Sequence, residues 1–194
     1  MTKKLVYGVG INDADYTVTP KVNGKQLWCP FYLTWSNMLE RCYDAKHKVR
    51  QPTYIGCTAY EEWLVFSGFK AWMEKQDWQG KQLDKDLLIM GNKIYSPDTC
   101  VFVDAATNMF ITDCGTTRGD WPIGVYLNKR EGKFIAQCSN PITRRKEHLG
   151  YFTCPNKAHQ AWIKRKHELA YQLAELQTDP RVAKALRERY LVKE

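Results

Sequence analysis

The 194-residue sequence predicts an α+β chain, with a helix-rich N-terminal part followed by a three-stranded antiparallel sheet packed on a helix. Three observations predict it. Apolar residues recur every three to four positions over residues 33–43, 60–75 and 156–176, the helical period. Over residues 124–152 apolar and polar residues alternate in three short runs separated by turn chemistry, the strand period. Composition also changes along the chain: residues 1–115 hold 13 basic and 13 acidic side chains, and residues 116–194 hold 16 and 8. The whole net charge of +8 therefore sits in the C-terminal part, the pattern of a polyanion-binding module joined to something else.

In the N-terminal part, Trp35, Met38, Leu39 and Cys42 give a helix over 33–43, and Trp63, Phe66, Phe69 and Met73 give one over 60–75. Residues 45–51 read as a polar loop carrying His47, the only histidine in this half. Residues 83–89 read as a strand and Gly91-Asn92-Lys93 as a tight turn; 95–103 reads as a loop or short helix running into another strand. Trp28, Trp35, Trp63, Trp72 and Trp78, with Leu33, Met38, Leu39, Phe66 and Phe69, are enough for a modest core. The run DCGTTRGD at 113–120 marks the expected boundary. Three segments result: 1–115, 116–178 and a last helical segment, 179–194.

In the C-terminal part, Val125 and Leu127 alternate with Tyr126 and Asn128, and Phe134, Ala136 and Cys138 with Ile135, Gln137 and Ser139. Leu149 and Tyr151 alternate with His148, Gly150 and Phe152. Turns fall at Arg130-Glu131-Gly132 and Ser139-Asn140-Pro141. Pro155 starts a helix reaching about 176, with Ala158, Ala161, Trp162, Leu169, Leu173 and Leu176 on one face and Lys164, Arg165 and Lys166 mostly elsewhere. That helix covers the apolar face of the sheet and leaves a polar face free, of a size to enter a DNA major groove. Asp179-Pro180 opens a last helix over 181–192 whose basic flanks either pack back or grip phosphates.

The order Gly124-Val125, Gly132-Lys133-Phe134, Ala136, Leu149-Gly150-Tyr151-Phe152, then Ala158, Ala161 and Trp162 resembles the ethylene-response-factor (ERF) type of DNA-binding domain. This domain also occurs in phage and mobile-element endonucleases. The resemblance implies that the sheet, not the helix, reads double-stranded DNA, through Tyr126, Asn128, Lys133, Gln137, Ser139, Lys146 and His148. The family's strand arginines are largely replaced here, by Tyr126, Asn128 and Ser139. Lys129, Arg130, Arg144 and Arg145 fall at turns, where phosphate contacts are the natural role.

A second series is Trp35 to Tyr43, Trp63, Phe66 and Phe69, Leu83-Asp84-Lys85-Asp86, Gly91-Asn92-Lys93, Tyr95-Ser96-Pro97 and Cys100. It resembles phage-encoded HNH-type proteins in which a degenerate nuclease fold precedes an ERF-type domain. In an active HNH site a histidine activates water, a central asparagine orients that histidine's loop, and a divalent metal acts on the phosphate. By the resemblance, Asp84-Lys85 stands where the family has aspartate-histidine, and Asn92 stands at the central asparagine. Lysine is protonated at neutral pH and is a poor base. Asp84 and Asp86 supply oxygen ligands suited to Mg²⁺ or Mn²⁺. Asp84, Lys85, Asp86 and Asn92 therefore form either a metal-dependent catalytic site or its structural remnant.

Seven cysteines with no C-x-x-C pair argue against a disulfide framework and against the usual zinc spacing. They read as small buried hydrophobes in a reducing cytosol. Convergence of Cys42, Cys57, Cys100 and Cys114 on zinc is the alternative. No run of 18 apolar residues suggests a membrane span. Three functions follow: a DNA-binding protein of phage homing-endonuclease type with a degenerate nuclease half; an active HNH-type endonuclease; or a module that binds and modulates a host protein. All three place the chain in the cytoplasm of a phage-infected bacterial cell.

Overall fold

Trp35, Met38, Leu39 and Cys42 are wholly buried, so the helical spacing that brings them to one face also builds the first core. The computed structural model describes residues 4–112 and 120–191, and the chain is mixed α+β. It divides into two compact units, Met1–Val103 and Asp104–Glu194.

The first unit contains a small hairpin, β1 (Lys21–Val22) and β2 (Lys25–Gln26), then α1 (Pro30–Tyr43) and α2 (Ala45–Arg50). Helix α1 starts earlier than its apolar period, because Pro30 suits a first turn. The expected loop over 45–51 is helix α2, opened by Asp44, whose carboxylate accepts from the His47 N–H at 2.6 Å. The expected helix over 60–75 is broken. A 3₁₀ turn, Glu61–Leu64, precedes α3 (Phe66–Met73), and Val65 between them is extended. Ile11 causes the break: its N–H donates to the Leu64 carbonyl at 2.8 Å and its carbonyl accepts from Phe66 at 3.0 Å. Asp13 then accepts from the Ser67 N–H at 2.9 Å. Gly68 lets the two pieces close, since a Cβ there would lie 2.4 Å from the Glu62 carbonyl oxygen. Trp35 donates to the Trp63 carbonyl at 2.7 Å, joining α1 to this corner.

Strand β4 (Gln82–Asp84) is shorter than the expected 83–89, because Asp84 accepts from the N–H groups of Asp86 and Leu87 and turns the chain. β4 pairs antiparallel with β6 (Val101–Val103). β3 (Thr58–Ala59) pairs in parallel with β5 (Ile94–Tyr95).

The second unit starts at α4 (Ala105–Ile111), earlier than the expected boundary. Phe110 and Ile111 are buried there. The Phe110 carbonyl accepts from Lys166 and Tyr190, and the Ile111 carbonyl from Arg189 at 3.0 Å, so the C-terminus of α4 is held inside this unit. Residues 113–119 of the expected linker, Cys114 among them, lie outside the described residues.

Next come β7 (Val125–Asn128), β8 (Lys133–Ser139) and β9 (Lys146–Phe152), an antiparallel sheet in the order β7-β8-β9. Helix α5 (Pro155–Ala174) packs on it. Helix α6 (Pro180–Arg189) packs on α5 and buries Val182, Ala183 and Leu186. Lys166, expected outside the packed face, is buried. Its ammonium lies 3.4 Å from the centroid of the Phe110 ring and 5.1 Å from that of Tyr190. Burial pulls its pKa down to about 8.

Candidate nucleic-acid interface

Residues paired across an antiparallel ladder share a face, so register sorts the sheet. Tyr126 pairs with Ile135 and Ile135 with Tyr151; Asn128 pairs with Lys133, Gln137 with His148, and Ser139 with Lys146. The other face carries Val125, Leu127, Phe134, Ala136, Cys138, Glu147, Gly150 and Phe152. That second face lies under α5. Glu147 accepts from Arg165 of α5 at 2.6 Å, and a Cβ on Gly124 would strike the Trp162 ring at 1.9 Å. All seven strand positions expected to face DNA thus stand on the side away from the helix.

One strand departs from simple alternation. A β-bulge shifts the register between Ala136 and Gln137, leaving Leu149 without a partner on β8. His148 and Tyr151, three residues apart, therefore share the open face, with ring centroids 4.9 Å apart, while Gly150 and Phe152 turn to the helix. The sequence had paired Tyr151 with Leu149 and His148 with Phe152. Period-two reasoning fails wherever an extra residue enters a strand.

Charge on the two faces differs in kind. Glu147 is the only carboxylate in the three strands, and it is turned inward to Arg165 and Asn140. Among the described residues, Lys129, Arg130, Lys133, Arg144, Arg145 and Lys146 make no ion pair. In the helical layer, Arg165 pairs with Glu147 and Glu168, Arg181 with Asp179, and Arg187 with Glu175. The arginines of α6 are thus occupied within the unit, whereas the cations of the sheet and its turns, with Lys157 and Lys164 on α5, make no ion pair among the described residues.

Two asparagines shape those turns. Asn128 accepts from the Arg130 N–H at 3.1 Å, so its side-chain oxygen holds the β7–β8 turn that carries Lys129 and Arg130. Asn140, which the sequence reading passed over, is buried; it accepts from Ile142 and Thr143 and donates to Glu147 at 2.7 Å. It fixes the β8–β9 turn from which Arg144 and Arg145 project. Its signal in the sequence was the Asn-Pro pair closing a strand.

The hydrogen bonds of Glu147 with Arg165 and Asn140 hold its pKa down at about 2, against an ordinary 4.5. A depressed acid stabilises the fold above its unfolded pKa and loses that contribution as pH falls toward the folded one. Replacement by glutamine is expected to cost about 1–2 kcal/mol at neutral pH, after allowing for solvent screening. Denaturation curves should show the gap from wild type closing between about pH 5 and about pH 2.

In the first unit, Asp84, Lys85, Asp86 and Asn92 do come together. Asn92 donates its amide to the carbonyls of Lys85 and Ile94, each at 2.7 Å, and accepts from the Ile94 N–H at 3.1 Å. Lys85 is 6% exposed; its ammonium donates to Asp86 at 2.9 Å and to the Asn92 carbonyl at 2.8 Å. Burial alone would lower its pKa, but the Asp86 carboxylate outweighs burial and raises it, away from any role as base. Burial, with Asp86 nearby, raises Asp84. One Asp84 oxygen is taken by two backbone N–H groups and one Asp86 oxygen by an ammonium. Each carboxylate is thus already engaged within the loop through one of its two oxygens. His47 packs its ring on Tyr54 and sets Nδ1 3.5 Å from Glu40, on α1.

Among the described residues, no group of three or more His, Cys, Asp or Glu is placed to hold a metal. Cys42, Cys57 and Cys100 are buried free thiols, and burial pushes Cys42 and Cys100 up to about 12. No helix among the described residues is long and apolar enough to cross a membrane. Comparison with protein-family models, curated proteins and solved structures found no significant match to the chain.

Proposed function

We propose that this is a sequence-preferring, double-stranded DNA-binding protein of phage homing-endonuclease type, with its sheet docked in the major groove and an HNH-like half that does not cut. The observation that carries the reading is the open face of the sheet. Cations without carboxylate partners flank amide, hydroxyl and imidazole groups, and no acid shares that face. Such cations neutralise phosphates, and Gln137, Ser139 and His148 are of the types that read base edges.

The Asp84–Asn92 loop supports the second part. Asn92 pins the backbone of the residue at the histidine's position, as the HNH resemblance expects of the central asparagine. The side chain at that position is an ion-paired lysine. On this reading the loop is a remnant of the HNH hairpin, without a base for water.

The test is gel shift and supercoiled-plasmid nicking on the same DNA, in Mg²⁺, Mn²⁺ and EDTA. Shifted, uncut DNA is the expected result. Metal-dependent nicking that disappears in Asp84→Ala would establish an active endonuclease instead. Absence of any shift would redirect the search to a host protein partner.

A further inference from the structure

Two tyrosine rings stand on the open face of the sheet. Tyr126 and Tyr151 flank Ile135 in a single row across the three strands, and they are 42% and 52% exposed. Tyr151 packs against His148, whereas the Tyr126 ring meets no other ring among the described residues. β7 begins at Val125, and past the bond from the Gln137 N–H to the Gly124 carbonyl at 2.8 Å the β7-side edge of β8 runs on uncovered to Ser139; an open depression of about 260 Å³ lies there. Its lining includes Gly124, Val125, Tyr126, Gln137, Ser139 and Lys146.

A base inside a duplex presents only its groove edges, because its π-faces are covered by its neighbours and its pairing edge by its partner. The depression offers what an unpaired base displays. Tyr126 supplies an aromatic wall, and Gln137 and Ser139 supply both donors and acceptors. Lys146 adds a cation, and the neighbouring Arg144 and Arg145 are free to hold the strand's phosphates. At about 260 Å³ the space lies below the range of roughly 300–1,000 Å³ for pockets that enclose a drug-sized ligand, which suits one planar base.

Resting on the reading that this sheet meets DNA, we infer that it also takes a single unpaired base, stacked on Tyr126 with its pairing edge toward Gln137, Ser139 and Lys146. The face then recognises DNA carrying a bulged or flipped nucleotide, or a single strand, in preference to an uninterrupted duplex of the same sequence.

Fluorescence anisotropy of the full chain tests this with three labelled DNAs: a perfect duplex, the same duplex with one central unpaired nucleotide, and one of its strands. The unpaired nucleotide is expected to tighten binding about tenfold. Tyr126→Ala should remove about five- to a hundredfold of affinity for the bulged DNA, a larger loss than for the perfect duplex, so that the preference between the two disappears, and Tyr126→Phe should retain it. With 2-aminopurine at the unpaired position, emission should fall on binding wild type and not on binding Tyr126→Ala.

Equal affinity for perfect and bulged duplex would overturn the inference and leave the duplex-binding function standing. A bulge preference that survives Tyr126→Ala, with emission quenched as in wild type, would overturn the seat on this sheet. Failure to bind any of the three DNAs would remove both readings.

Discussion

Alanine at Lys133 and Lys146 together is expected to weaken duplex binding ten- to a hundredfold at about 0.1 M salt and to lower the slope of log affinity against log salt by about two units. Both side chains are exposed on the face away from α5, and neither has an ion-pair partner to leave. Each phosphate that a lysine neutralises releases condensed counterions, so loss of two contacts shows in the slope as well as the midpoint. Arg187→Ala provides the contrast, because Arg187 is already tied to Glu175 on the helical side at 2.6 Å and its loss should leave the slope unchanged. Equilibrium titrations across a range of salt concentrations decide the matter. An unchanged slope in the double variant would take the sheet out of the interface.

Gly124→Ala is expected to destabilise the second unit strongly, costing about 2–4 kcal/mol. Two penalties add. The residue sits at φ +78°, where a side chain is strained, and its Cβ would overlap the Trp162 ring at 1.9 Å. Trp162 is itself enclosed, stacked on His159 and edge-on to Tyr190, so it has little room to retreat. The midpoint of urea unfolding should fall accordingly, and DNA affinity should fall with it, since β7 and α5 meet at this point. A variant as stable as wild type would mean that the strand and helix pack less closely than these distances require.

Much of the second unit was legible because its signals are local. Alternation in 124–138, glycine and asparagine at the turns, and the Asp-Pro start of the last helix each act within a few residues. The fate of Tyr151 was not legible, because a bulge is set by pairing with another strand. Lys166 was misplaced for a related reason. A lysine reads as solvent-facing until one sees that Phe110, 56 positions away, supplies both a carbonyl and a ring.

In the first unit, the break at Val65 comes from Ile11 and Asp13, far outside any helical window. The Asp84–Asn92 loop was legible as a constellation, through its resemblance and its short spacing. Its chemistry was not: only in the folded chain is the Lys85 ammonium seen to be committed to Asp86 and to the backbone of Asn92.

The division of cations in the second unit also bears on how the protein arrives at its target. Charges closed into pairs with Glu147, Glu168, Asp179 and Glu175 largely cancel beyond a few ångströms, whereas the open ones on the sheet and its turns project into solvent. Unpaired cations are thus more numerous on the sheet side than on the helical side, where Lys157 and Lys164 remain open, and on the proposed reading the field of DNA exerts a torque on the unit before contact. If the sheet meets DNA as proposed, the unit turns sheet-first during approach, more collisions begin in a usable orientation, and the gain is expected in the association rate rather than in the lifetime of the complex.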